Sequence, residues 1–85
     1  VKEKNIIVFD LDGTLSLVGD RIKYLSQTPK DWDAFYNACG EDLPNEPIIQ
    51  ILKAMRFSCY EIKIVTGRRQ NVRCATRRWM HDNGI

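Results

Sequence analysis

The stretch Ile6–Leu15, I-I-V-F-D-L-D-G-T-L, decides how the rest of the chain is read. Four apolar residues run into two aspartates one residue apart, then a glycine, a threonine and a leucine. A continuous apolar run rich in β-branched residues predicts a strand covered on both faces, as in a parallel sheet. Asp10 and Asp12 stand where that strand stops. Residues i and i+2 leaving a strand point to the same side, so the two carboxylates share a site while Leu11 faces away. Two carboxylates that close do not both stay charged cheaply without a cation.

A second strand is predicted at Glu61–Val65, where charged and β-branched residues alternate, and it ends in Thr66-Gly67-Arg68. Ligands of parallel α/β sheets bind beyond the carboxyl ends of the strands. If the two strands are neighbours, Asp10, Asp12 and Thr66 meet at one edge of the sheet. Gly13 permits a sharp turn there. The amides beside it, with the hydroxyls of Thr14 and Thr66, suit phosphate oxygens. A Mg²⁺ ion, hard and oxygen-seeking, relieves the carboxylate repulsion when bound by one or two carboxylates plus substrate phosphate. A strand-end aspartate is then suited to aspartyl-phosphate formation. The second acid, two residues on, is placed to give a proton to the departing oxygen and later to activate water.

Between the strands, Ser16–Leu25 with its Gly19-Asp20 predicts a short hairpin or flap. Thr28-Pro29-Lys30-Asp31 predicts a helix start with threonine at the N-cap. Trp32, Phe35, Tyr36 and Cys39 then recur at helical spacing, with Gly40 as the stop. Leu43-Pro44-Asn45-Glu46-Pro47 resets the chain ahead of a second helix whose apolar stripe is Ile48, Ile51, Leu52 and Met55. A last helix, about Gln70–Asn83, is expected to bury Val72, Ala75 and Trp79, with Gly84 as its C-cap. The order predicts an α/β fold: a Rossmann-like, partial parallel sheet with a small flap and helical insertion after strand 1. The crossover is expected to be right-handed.

Composition agrees with a small globular domain. The chain has 85 residues, 44% hydrophobic and 28% charged, enough for one modest core. The longest apolar runs, such as Ile6–Phe9, fall far short of the about 20 residues a membrane span needs. No secretory apolar region precedes the first strand, and V-K-E-K-N leads into it directly. Cys39, Cys59 and Cys74 are odd in number and lack C-x-x-C spacing, so the expectation is inert thiols in a reducing cytoplasm. Net charge is +2 but uneven. Residues 1–45 hold 5 basic and 8 acidic side chains, and residues 46–85 hold 8 basic and 3 acidic. That asymmetry permits a cation site beside an anion-binding surface.

F-D-L-D-G-T-L resembles the first motif, D-x-D-x-T, of the haloacid-dehalogenase-like hydrolases, and I-V-T-G-R resembles their second, a strand ending in Ser or Thr. The resemblance implies that Asp10 is the nucleophile and Asp12 the general acid/base. It implies Mg²⁺ on the Asp10 carboxylate and the Asp12 main-chain carbonyl, with Thr66 holding the transferring phosphoryl group and Thr14, Gly67 and Arg68 as further phosphate contacts. D-G-T-L, D-W-D-A-F and V-T-G-R are similar, more narrowly, to phage and bacterial phosphatases related to the phosphatase domain of polynucleotide kinase. The family also uses a later lysine motif and a later acidic motif. No lysine follows Lys63, and Asp82 is the one later acid, so residues 1–85 are expected to form a single partial domain.

The expected activity is therefore a Mg²⁺-dependent phosphatase acting on a phosphorylated small molecule or a nucleic-acid end. Phosphoryl transfer to another acceptor fits the same motifs. The other class of function is a non-catalytic phosphate- or nucleic-acid-binding unit using Arg69, Arg73 and Arg77, which recur every four residues with Arg68 and Arg78 nearby. Such stripes are more often solvated faces. Asp12-Gly13 alone reads as a plain hairpin turn, and Asp10, Thr14 and the strand-end partner Thr66-Gly67 shift the reading to the site. Trp32, Phe35 and Tyr36 are expected in the core, with a surface over the crevice as the alternative. His81 reads as a surface residue. An unpaired sheet edge invites self-association.

Overall fold

The computed structural model describes residues 5–85. The charged lead Val1–Lys4 lies outside them. Strand β1 (Ile6–Asp10) pairs in parallel with a strand at Glu61–Val65, from Ile6 opposite Glu61 to Asp10 opposite Val65. Between them lie two short strands, β2 (Ser16–Leu17) and β3 (Leu43–Pro44), which pair antiparallel, so the strand at Glu61–Val65 is β4. The helices are α1 (Trp32–Asn37), α2 (Glu46–Phe57) and α3 (Arg73–Asp82).

The architecture is mixed helix and strand around a two-stranded parallel sheet. Ile7, Phe9, Ile62 and Ile64 turn one face of that sheet toward the core of Leu11, Leu15, Ile49, Leu52 and Trp79. The other face is open: Ile6, Val8 and Val65 are each more than half exposed. The expectation of a strand covered on both faces is thus corrected. The helices of the described chain cover one face only, and the apolar run at Ile6–Phe9 exceeds what they bury.

Turn geometry sets the end of β1. The Leu11 carbonyl accepts hydrogen bonds from the amides of Thr14, Leu15 and Ser16 at 3.3, 3.0 and 2.9 Å. Gly13 sits at φ +81°, a conformation that a Cβ disfavours. Leu11 and Leu15 are fully buried on either side of the turn, so the loop is pinned at both ends by apolar burial.

The predicted hairpin within Ser16–Leu25 is instead a two-residue strand followed by a 3₁₀ segment at Gly19–Leu25, and the partner of β2 comes from residues 43 and 44. The cause is Arg21, whose side chain is drawn inward to two aspartates. Helix α1 begins at Trp32 rather than after Thr28, because the Asp31 carboxylate accepts the Ala34 amide at 3.0 Å and serves as the N-cap. Of the three aromatics expected in the core only Phe35 is buried, while Trp32 is 43% exposed.

Helix α2 turns Ile49 inward where Ile51 was expected, and Ile51 is exposed. Helix α3 is preceded by a 3₁₀ turn at Gln70–Val72 and buries Val72, Thr76 and Trp79, with Ala75 exposed. Its end follows expectation. Gly84, at φ +73°, donates to His81, and Ile85 donates to Met80 at 2.8 Å, the paired bonds of a Schellman motif. The three cysteines are free, but only Cys39 is buried. No helix among the described residues is long and apolar enough to cross a membrane.

Candidate active site

The parallel register brings the ends of β1 and β4 side by side, with Asp10 opposite Val65 and Thr66 one residue beyond it. Asp10 is exposed, and its carboxylate takes no hydrogen bond or ion pair from any described residue. Thr66 is exposed as well. Its hydroxyl accepts the Arg68 amide at 3.1 Å, which bends the chain tightly just past the strand. Gly67 is exposed beside it, with open space where a side chain would project. Thr14 is half-buried. Its carbonyl accepts Asn45 Nδ2 at 2.9 Å, and the Asn45 amide donates to the Leu15 carbonyl at 2.8 Å. The start of α2 thus holds the D-x-D-x-T turn in place.

Asp12 has a different environment. Arg68 donates from Nη2 to Asp12 Oδ1 at 2.8 Å and from Nε to Oδ1 and Oδ2 at 3.1 and 3.3 Å. Arg21 Nη2 lies 2.5 Å from the same Oδ1. Both arginines also hold Asp42: Arg21 through Nε and Nη2 at 2.7 and 2.9 Å, Arg68 through Nη2 at 3.3 Å. Two cations and two anions therefore close a ring, and the side chains of Arg21, Arg68 and Asp42 are each only 2% exposed. Arg68 Nη1 reaches Thr76 Oγ1 at 3.0 Å, and Arg21 Nη1 reaches the Phe35 carbonyl at 3.3 Å. Trp79 Nε1 donates to the Asp42 carbonyl at 2.7 Å, which ties the ring to α3. Among the described residues no buried side-chain nitrogen or oxygen lacks a partner.

Burial of this kind raises a carboxyl's pKa, but for Asp12 the hydrogen bonds and charge of Arg68, then of Arg21, outweigh it and hold the group below the ordinary aspartate value. Burial likewise lowers Arg21, and the Asp42 and Asp12 carboxylates more than reverse that. Asp12 is thus a fixed carboxylate at neutral pH, held by two guanidiniums. Asp10 is the freer of the pair, exposed at the strand end.

Two oxygen donors would be available to hold a hard cation: the exposed Asp10 carboxylate, and the Asp12 main-chain carbonyl, which none of the hydrogen bonds of the turn uses. Among the described residues no three His, Cys, Asp or Glu side chains gather into a metal cluster. Those two oxygens would hold a Mg²⁺ ion whose remaining ligands would be water and substrate, and the ion would supply charge neutralisation there.

The sequence reading placed Asp10, Asp12 and Thr66 at one sheet edge, and the register sets Asp10 opposite Val65, the residue before Thr66. Arg68 turns its side chain inward to Asp12 and Asp42, not out to the crevice. Arg21, Asp42, Thr76 and Asn45 escaped that reading. Arg21 sits in what reads as a solvent-exposed flap, and its contact with Asp42 spans 21 residues, which no local pattern signals. Thr76 interrupts the apolar face of α3 because Arg68 needs an acceptor there.

Comparison with curated proteins and with solved structures found no match. The family model for the polynucleotide kinase PNKP phosphatase domain matches residues 4–84, nearly the whole chain. The chain with its two strand-end motifs therefore belongs to the polynucleotide kinase PNKP phosphatase-domain family, a haloacid-dehalogenase-like phosphatase family.

Proposed function

We propose that the chain carries the nucleophile of a Mg²⁺-dependent phosphomonoester hydrolase that acts on phosphorylated nucleic-acid ends, with small phosphomonoesters as poorer substrates. The observation that supports this most is the division of labour between the two aspartates. Asp10 is free at the sheet edge beside Thr66, and Asp12 is clamped by Arg21 and Arg68.

In the first step an Asp10 carboxylate oxygen forms a bond to phosphorus, and the bond from phosphorus to the ester oxygen breaks. The leaving alkoxide takes its proton from Asp12, which must first be protonated against the pull of two guanidiniums. Asp12, whose side chain is 27% exposed, takes that proton from solvent, and the inward-facing Arg21 and Arg68 hold its carboxyl in place. In the second step water attacks phosphorus, Asp12 accepts its proton, and the bond to Asp10 breaks to release inorganic phosphate. Thr66 and the Gly67 amide hold the phosphoryl oxygens through both steps. Bound Mg²⁺ supplies charge neutralisation between the phosphate and the Asp10 carboxylate.

The reading is tested by phosphate release from a 3′-phosphorylated oligonucleotide and from p-nitrophenyl phosphate, in the full-length protein. Release that needs Mg²⁺ and falls at least about 10³-fold in Asp10→Asn supports it, since the nucleophile acts as part of a unit. Release untouched by Asp10→Asn rules out the aspartyl-phosphate route. Oligonucleotide binding without any turnover favours a binding role instead.

A further inference from the structure

Next to the strand-end site lies an aromatic surface that the phosphoryl chemistry does not use. Trp32 and Tyr36 stack with ring centroids 6.1 Å apart and planes at 24°. Phe35 meets each of them edge-on, at 6.0 and 5.2 Å. The i, i+3, i+4 spacing of α1 puts the three rings on one face, yet Trp32 keeps 43% of its surface exposed.

Cations surround the rings. Lys30 Nζ lies 6.0 Å over Trp32, and Arg69 Cζ lies 5.5 Å over Tyr36. Thr28, Pro29, Lys30, Trp32, Asp33 and Arg69 line a concave surface beside the stack. On the far side of Arg69 a second hollow contains Thr66, Arg73 and Arg77. The aromatic face is also mechanically joined to the site: Arg21, which holds Asp12, packs its guanidinium 4.4 Å from the Phe35 ring.

We infer that Trp32 and Tyr36, with Arg69, form a stacking site for a nucleobase of single-stranded nucleic acid, with Arg73 and Arg77 following its phosphates. A π-face flanked by cations recognises a flat base attached to a phosphate, and stacking of this kind is tolerant of sequence. Asp33 pairs with Arg69 across this surface. Both side chains of the pair are at least half exposed, so a strand phosphate competes readily for the arginine. The inference extends the nucleic-acid side of the proposed function. Its test uses unphosphorylated strands, so that its failure and a failure of the hydrolytic mechanism are separate results.

The measurement is intrinsic tryptophan fluorescence of the protein during titration with an unphosphorylated oligothymidylate and with an abasic strand of equal length. Trp79 is buried, so quenching reports Trp32. The expected result is quenching by the base-containing strand alone, and binding at least about 5-fold tighter than for the abasic strand. Trp32→Phe, which keeps a ring, retains most of that preference, as judged by oligonucleotide anisotropy, and Trp32→Leu abolishes it. Arg73→Ala with Arg77→Ala weakens both strands alike and flattens the salt dependence. Asp33→Asn tightens both. Thermal melts of each variant confirm folding, since Trp32 lies outside the buried core. Equal affinity for the two strands, or a preference unchanged in Trp32→Leu, overturns the inference.

Discussion

Arg68 reaches back across 56 residues of sequence to place its Nη2 2.8 Å from Asp12 Oδ1, so the two strand-end motifs are joined by a charge-assisted bond as well as by strand pairing. The arginine that immediately follows Thr66-Gly67 is a positioning group for the aspartate that ends the first motif. Its fork meets Asp12, Asp42 and Thr76 at once, which an ammonium group does not reproduce.

Arg68→Lys is therefore expected to fold but to lose about 1–3 kcal/mol, through hydrogen bonds that lysine leaves unmade. In the same variant the Asp12 carboxyl should titrate closer to an ordinary aspartate. Urea denaturation measures the first effect, and carboxyl carbon chemical shifts against pH measure the second.

Stability should also depend on acid in a predictable direction. A carboxyl whose folded-state pKa lies below its unfolded value contributes stability that is present above the unfolded value and lost as pH falls through the folded one. For Asp12 the loss sets in from about pH 4 downward, the ordinary aspartate range. Asp12→Asn should be less stable at pH 7 and show a shallower decline between about pH 4 and about pH 2. Denaturant midpoints across that range decide it, and parallel slopes for the two proteins would show that Asp12 is not held by the arginines.

The side of α2 that faces the core separates two residues that the sequence pattern nearly interchanged. Ile49 is 1% exposed and Ile51 is 47% exposed. Ile49→Ala is expected to cost about 2–5 kcal/mol, because a buried cavity opens. Ile51→Ala should stay within about 1 kcal/mol. Urea midpoints of the two variants check the assignment.

What was legible in the sequence was whatever local chemistry decides. The apolar run into Asp10, the alternation of Glu61–Val65 and the glycine after α3 each encode their own strand or cap, and the structure has all three. What was not legible depends on partners far along the chain. Ile48, Ile51, Leu52 and Met55 satisfy a helical period as well as the observed stripe does, and only the position of the sheet selects Ile49. Thr76 takes an inward position that apolar periodicity gives to Ala75, because it serves Arg68. Arg21 and Asp42 look like flap and loop residues until Asp12 gives them a common purpose. The candidate site was read through its two motifs, while the ring that holds Asp12 was not.

The end of α2 offers a test on backbone strain. Cys59 occupies the left-handed position of a Schellman motif, at φ +69°, with its amide bonded to Arg56 and that of Tyr60 to Met55. Glycine is the usual residue there, since a Cβ in this conformation costs about 1 kcal/mol or more. Cys59→Gly gives back part of that gain through the freer unfolded chain, so a net stabilisation of about 0.5 kcal/mol is expected. Cys59 is exposed, so its side chain contributes little packing to offset the gain. The thermal midpoint measures it.

Everything in the proposed chemistry turns on which carboxylate bonds to phosphorus. Borohydride reduces an acyl phosphate to an alcohol, so trapping the full-length protein during turnover of a phosphorylated oligonucleotide marks the nucleophile permanently. Peptide mass spectrometry should then find homoserine at position 10, and no such product in Asp10→Ala. Reduction at Asp12, or turnover with no trapped residue and full activity in Asp10→Ala, would contradict the account.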